Sequence, residues 1–343
     1  MNRPRVLLIY TGGTIGMWAD PHTHALRPMD LTHLEEQVPE LARMDVELHS
    51  VAFEEPLDSS DMRPAHWVRI ARIIHDHYAA HDGFVVLHGS DTMAYTASAL
   101  SFLLEGLSKP VILTGSQLPI GIIRTDAREN LITAIEIAAA RDDEGRAVVP
   151  EVAVYFEYRL LRGNRTVKVH AERFEAFRSP NYPALAEAGV HLRYDHAAIR
   201  PPSPGPLVVH DAVAHGVNVL WMFPGIQGHQ VRHALAEPGL RAMVLATFGS
   251  GNAPTDPELI AALGDARERG IALLNVTQCV GGQVEQGRYA TSRALAGMGV
   301  VPCGDMTLEA AITKAMCLLG RTADVHALEQ AMMQDLCGEV TLG

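Results

Sequence analysis

Cysteine is sparse in this 343-residue chain: Cys279, Cys303, Cys317 and Cys337 fall in the last quarter, and no two form a Cys-x-x-Cys pair. That spacing argues against a zinc site or a dithiol redox pair and leaves buried thiols as the ordinary reading. Long apolar runs are missing too. The first one, 6–10, stops at a glycine turn and is too short for the core of a secretory signal. No later stretch approaches the ~20 apolar residues of a membrane-spanning helix. Basic charge is in deficit, 28 Lys and Arg against 40 Asp and Glu, for a formal charge of −12. The chain therefore lacks a cationic footprint for nucleic acid or for an anionic membrane. These absences lead to the expectation of a cytoplasmic protein whose partner is a small molecule.

What is present is an ordinary folding composition, 48% hydrophobic and 20% charged, over a length that suggests two domains. Short runs rich in Val, Ile and Leu at 6–10, 84–87, 111–114 and 152–156 predict strands buried on both faces of a parallel sheet. Between them, Trp67, Ile70, Ile74 and Tyr78 repeat at helical spacing after Pro64, and 94–104 and 127–140 are rich in helix formers. This is βαβ organisation, in which ligands bind beyond the carboxyl ends of the strands. Four prolines crowd 201–206, which predicts an interdomain linker at 199–212 between domains at 1–198 and 213–343. The second domain repeats the pattern, with strands near 218–223, 242–247 and 271–276 and helices near 256–268 and 307–319.

Three strand ends carry hydroxyl-rich clusters: Thr11-Gly12-Gly13-Thr14, His88-Gly89-Ser90-Asp91-Thr92 and Thr114-Gly115-Ser116-Gln117. In a parallel sheet they share one rim, and the glycines allow backbone amides to approach a substrate carbonyl. A nucleotide site fits poorly, since glycine stands where the dinucleotide fingerprint needs a spacer and no Gly-Lys-Ser/Thr follows. A hydroxyl nucleophile needs a partner base, for which His88 and Lys168 are the candidates. The chain has 17 histidines, but His75 and His77, two apart on a predicted helix, point about 200° away from each other and cannot share a metal. No metal and no cofactor are expected.

Four segments match in order those of the bacterial cytoplasmic, type I L-asparaginases: Tyr10-Thr11-Gly12-Gly13-Thr14-Ile15-Gly16-Met17, Asp58-Ser59-Ser60-Asp61-Met62, the run from Leu87-His88-Gly89-Ser90-Asp91-Thr92 to Leu100, and Arg162-Gly163-Asn164-Arg165-Thr166-Val167-Lys168. The chain resembles that family over nearly its whole length, continuing through Gly251-Asn252-Ala253-Pro254, Asn275-Val276-Thr277-Gln278-Cys279 and Tyr289-Ala290-Thr291. The resemblance implies a larger flavodoxin-like parallel-sheet domain followed by a smaller Rossmann-like α/β domain. It implies hydrolysis of L-asparagine through a β-aspartyl ester on Thr14, with Ser90, Asp91 and Lys168 as the second catalytic group. Lys168 would tune or deprotonate Ser90. Asp58, Ser59 and Ser60, with Ser90 and Asp91, would bind the substrate, the serines at its α-carboxylate and Asp91 at its α-ammonium. It further implies a homodimer or homotetramer, with Asn252 and Gln283 as contributors to a neighbour's site.

The sequence departs from the family in three places. The lid after the first glycine turn, 18–28, has no tyrosine, and His22 or His24 are the substitutes considered for its role as proton acceptor. Ser90 stands where the family usually has threonine. Ala246 replaces an arginine of the allosteric asparagine site of some members, although Cys279 of that site remains, so effector activation is not expected. The same machinery would suit a glutaminase or mixed amidase, since one methylene is worth only ~1–3 kcal/mol of discrimination. A noncatalytic asparagine-binding protein is the alternative from another class. An amidotransferase subunit with a related domain carries additional amino-terminal sequence and is not the expectation.

Overall fold

The computed structural model describes residues 3–19, 26–28, 34, 36–287 and 290–342, with the backbone alone at 17–19, 26–28 and 290–292. His22 and His24 lie outside those residues. The chain divides into two compact units, Met1–Asp211 and Ala212–Gly343.

In the first unit the apolar runs become the middle of one sheet. Its strands are β1 (Arg5–Gly12), β2 (Glu47–Leu57), β3 (Gly83–Leu87), β4 (Val111–Thr114), β5 (Val152–Phe156), β6 (Arg159–Arg162), β7 (Ala186–Glu187) and β8 (Arg193–Tyr194). They lie in the order β8-β7-β6-β5-β4-β3-β1-β2. From β2 to β5 every pairing is parallel, while β6, β7 and β8 run antiparallel to their neighbours. The sheet is therefore mixed rather than wholly parallel. Its reversal is made by Glu157 and Tyr158, whose φ of 45° and 67° form a two-residue turn joining β5 directly to β6. Left-handed conformations at both central positions suit the twist of paired strands. Neither residue is glycine, so no local composition signalled the hairpin.

All of β3, β4 and β5 is buried, and all of β1 beyond Arg5. The connecting helices are α1 (Pro64–His77), α2 (Met93–Leu103) and α3 (Ala127–Ala139). Alternate strand residues Val6, Leu8, Val85, Leu87 and Ile112 pack with Leu131, Ala134, Ile135 and Ala138 of α3, as period-two strands against a period-3.6 helix require. Helix α1 buries Trp67, Ile70, Ala71 and Ile74 and packs on α2, which lies on β5. Strand β2 escaped the sequence reading because it is a sheet edge: Phe53 is buried while Glu47, His49 or Ser50 are largely or partly exposed, so no apolar run marks it.

The second unit holds four parallel strands in sequence order, β9 (Val217–Trp221), β10 (Ala242–Thr247), β11 (Ala272–Thr277) and β12 (Val301–Pro302). Its helices are α4 (Gly228–Leu235), α5 (Pro257–Glu268), α6 (Ala290–Gly297), α7 (Leu308–Arg321) and α8 (Val325–Met332). Helix α5 starts where Asp256 accepts from the Leu259 amide at 3.0 Å and Pro257 needs no partner for a missing N–H. One sheet face packs Met243, Leu245 and Leu273 with Leu259 and Leu263, the other packs Val244, Ala246 and Leu274 with Ala311, Ala315 and Leu319. Among the described residues, no helix is long and apolar enough to cross a membrane.

Candidate active site

Because β2, β1, β3 and β4 are parallel neighbours, the polar segments that follow them emerge on one rim. Close packing of backbone draws these segments together. Gly13, with φ of 84°, donates its N–H to the Leu57 carbonyl at 3.1 Å. A Cβ on Gly13 would stand 2.4 Å from the Gly89 nitrogen, and one on Gly89 would stand 2.6 Å from Ser59 Oγ. Glycine at both places is thus a condition for the β1, β2 and β3 loops to touch. Thr14, half-buried, opens the single 3-10 turn Thr14–Gly16 beside this contact. Thr11 Oγ1 ties β1 to β3 through the Leu87 carbonyl at 3.0 Å, and Thr92 Oγ1 ties the β3 loop to the Ser59 carbonyl at 2.7 Å.

Lys168 reaches the same rim by a longer route. After β6 the chain turns through Gly163–Arg165, packs along α2, and pairs Val167–Lys168 with Phe177–Arg178. Lys168 Nζ then donates to Ser90 Oγ at 2.9 Å and to Asp91 Oδ1 at 2.6 Å, joining residues 78 and 77 apart in the chain. The lysine side chain is 15% exposed and the Asp91 side chain 65% exposed, so the pair has one sheltered and one open member.

Asp58 caps the short turn Ser59–Asp61, accepting from the Ser60 amide at 2.9 Å and the Ser60 hydroxyl at 2.7 Å. These two hydrogen bonds, the side-chain one foremost, hold the Asp58 carboxyl below its ordinary range. Ser59 is buried against Gly89, whereas Ser60 is exposed. Thr14, Asp58, Ser59, Ser60, Ser90, Asp91 and Lys168 all belong to the first unit. Asn252 and Gln283 belong to the second, where Gln283 Nε2 donates to Glu285 Oε1 at 3.0 Å.

His88, one of the two base candidates, points away from this cluster. It is fully buried, with Nδ1 2.7 Å from the Gly89 carbonyl and Nε2 2.8 Å from Thr96 Oγ1. The carbonyl can only accept, so Nδ1 carries the proton and Nε2 accepts from the threonine. Thr96 in turn receives Trp67 Nε1–H at 3.1 Å. Burial pulls the imidazole pKa down to about 4. Both nitrogens are committed, and the ring serves the turn rather than the rim. Sequence position alone, at the end of a strand, cannot tell which way a side chain faces across a glycine turn.

Two further polar residues stand at the rim, Thr92 and Gln117, to which the sequence assigns no role. Gln117 Oε1 accepts from Ser90 Oγ at 3.3 Å, and Nε2 donates to the carbonyls of Ala171 at 3.1 Å and Arg173 at 2.9 Å. The only advance signal was its place in a strand-end cluster.

A hydroxyl in a glycine turn, with a lysine, carboxylates and further hydroxyls at the strand ends of an α/β sheet, is the equipment of an acyl-transfer hydrolase. Residues 5–200 match the family model for the N-terminal asparaginase domain, and residues 216–332 that for the glutaminase/asparaginase C-terminal domain. L-asparaginase 1 of Escherichia coli K12 is 44% identical over 345 residues, covering 99% of each chain. The mouse 60 kDa lysophospholipase is 41% identical over 98% of this chain and 63% of its own length. The crystal structure of L-asparaginase I from Vibrio cholerae matches with a TM-score of 0.88 at 40% identity, covering 99% of this chain and 100% of that one. The chain belongs to the asparaginase family.

Proposed function

We propose that this chain hydrolyses L-asparagine to L-aspartate and ammonia, with Thr14 as the nucleophile. The observation that carries the reading is the contact of Lys168 with both Ser90 and Asp91, at 2.9 and 2.6 Å, on the rim where the Thr14 turn meets Gly89. Thr14 Oγ1 attacks the side-chain amide carbon, the C–N bond breaks, and ammonia leaves with the proton the threonine gives up. The β-aspartyl ester that remains is cleaved by water, which releases aspartate and returns a proton to Thr14. Ser90, Asp91 and Lys168 form the second catalytic group. Ser59 and Ser60 receive the α-carboxylate and Asp91 the α-ammonium, and fixing both charges sets the distance to the reacting amide. Backbone amides at Thr14 and the Ser90 turn stabilise the oxyanion, where one donor is worth ~100-fold or more in rate.

The same reading includes assembly as a homodimer or homotetramer and a cytoplasmic address, to be tested by light scattering and by fractionation. The test of the reaction is a coupled ammonia assay with L-asparagine, L-glutamine and D-asparagine. L-asparagine should be turned over fastest, and Thr14→Ala and Lys168→Met should each lower the rate by ~100-fold or more. Binding of asparagine without ammonia release would favour a sensor, and preference for glutamine would move the assignment to a glutaminase.

A further inference from the structure

We propose that Gln117 is a positioning residue for Ser90: its side-chain oxygen accepts a hydrogen bond from the Ser90 hydroxyl and so aims that hydroxyl's free lone pair at the reacting centre. The inference rests on the reading of Ser90 and Lys168 given above.

The orientation of the Gln117 amide is settled by its neighbours. Nε2 faces two carbonyl oxygens, those of Ala171 at 3.1 Å and Arg173 at 2.9 Å. A flipped amide would set its own oxygen against both, acceptor against acceptor. Oε1 therefore faces Ser90 Oγ, at 3.3 Å, and since Oε1 only accepts, Ser90 is the donor. Lys168 Nζ, 2.9 Å away on another side, only donates, so it takes one lone pair of the same hydroxyl. One lone pair is left, and its direction follows from the other two bonds.

The glutamine is itself held in place. Its backbone N–H lies 2.9 Å from Asp126 Oδ2 and 3.1 Å from Oδ1, and the Leu118 amide donates to the same carboxylate at 3.2 Å. Asp126 is 7% exposed and receives Asn130 Nδ2 at 3.3 Å, and Asn130 Nδ2 also donates to the Gly115 carbonyl at 3.0 Å. A buried carboxylate and amide thus fix the backbone that presents the Gln117 side chain. Serine needs such a device, because its side chain has no second substituent on Cβ to restrict χ1. Two hydrogen bonds from opposite kinds of partner do for Ser90 what a β-methyl does for threonine.

The test is a double-substitution cycle read by steady-state kinetics on L-asparagine. Gln117→Met keeps the length and removes the acceptor. It should lower kcat by about 10- to 100-fold while KM moves by less than about 3-fold, because an orienting bond acts on the reacting geometry more than on the bound amino acid. Adding Ser90→Thr should raise kcat at least about 3-fold in the Gln117→Met background, and by a smaller factor in the parent. A methyl on residue 90 cannot replace the bonds to Ala171 and Arg173, so such a rescue separates orientation from support of that segment. Gln117→Asn draws the amide back by one methylene and should show the same kcat loss should the methionine variant fail to fold. The assignment is overturned if kcat is unchanged in either variant, if KM and thermal stability carry the loss, or if Ser90→Thr has the same effect in both backgrounds. Inactivity of the parent, or full activity of Thr14→Ala or Lys168→Met, would instead overturn the reading of the site.

Discussion

Acidification from about pH 7.5 to about pH 5 should cost the folded chain about 2 kcal/mol through His88 alone. The imidazole is fully buried with its pKa pulled down to about 4 from the ordinary 6.5. Between those two values the unfolded chain binds a proton that the folded chain refuses, so stability rises with pH across the window and is lost as pH falls through 6.5. The full separation is worth about 3 kcal/mol, reached near pH 4, and about two-thirds of it has been lost by about pH 5. His66 and His81 are also held below their ordinary range, by burial foremost, so they add to the loss on acidification in the same direction. The informative quantity is therefore a difference of differences. Urea unfolding of the parent and of His88→Asn, at both pH values, should show the parent losing about 2 kcal/mol more than the variant. The variant itself should start about 1–3 kcal/mol less stable at neutral pH, since Thr96 loses its acceptor. Equal losses on acidification in the two proteins would refute the assignment of His88 as a neutral, internally satisfied ring.

Gly13→Ala places a Cβ 2.4 Å from the Gly89 nitrogen at a φ of 84°, which neither backbone can accommodate without moving. It should cost about 1–3 kcal/mol by urea unfolding and at least ~100-fold in ammonia release, and a fully active variant would mean that the loops need not touch. In the second unit Lys314 and Glu339 form an ion pair at 2.5 Å with both side chains fully buried. Burial alone would raise the Glu339 pKa, but the ammonium and the hydrogen bonds outweigh it and the net shift is downward. Lys314→Met strands that carboxylate and should destabilise the chain by about 3–5 kcal/mol near neutral pH. Acidification to about pH 4.5 should shrink the deficit, because the stranded carboxyl then takes up a proton. A deficit that does not change with pH would argue for lost packing instead.

Strands and helices with a marked pattern were legible because their cause is local. The runs at 6–10, 84–87, 111–114 and 152–156 are buried strands, and the helical spacing of Trp67, Ile70 and Ile74 lies on α1. β2 and the antiparallel edge were not legible. An edge strand such as β2 carries little apolar signal, and a turn built on Glu157 and Tyr158 shows none of the usual glycine or asparagine.

For the site, composition and short-range order determined the α/β class, the glycine turns and the hydroxyls at the strand ends. Which side chains meet was decided by tertiary structure. Residue chemistry alone offers both Lys168 and His88 as bases, and only the resemblance favours the lysine; in the fold Lys168 crosses 78 residues to Ser90 while His88, two residues away from that serine, turns into the core. Nothing in the sequence around Gln117 indicates that its amide lies between Ser90 and the carbonyls of Ala171 and Arg173. The reason is physical: periodicity records which face of an element seeks burial, whereas hydrogen-bond donors and acceptors are paired only after separate loops have packed.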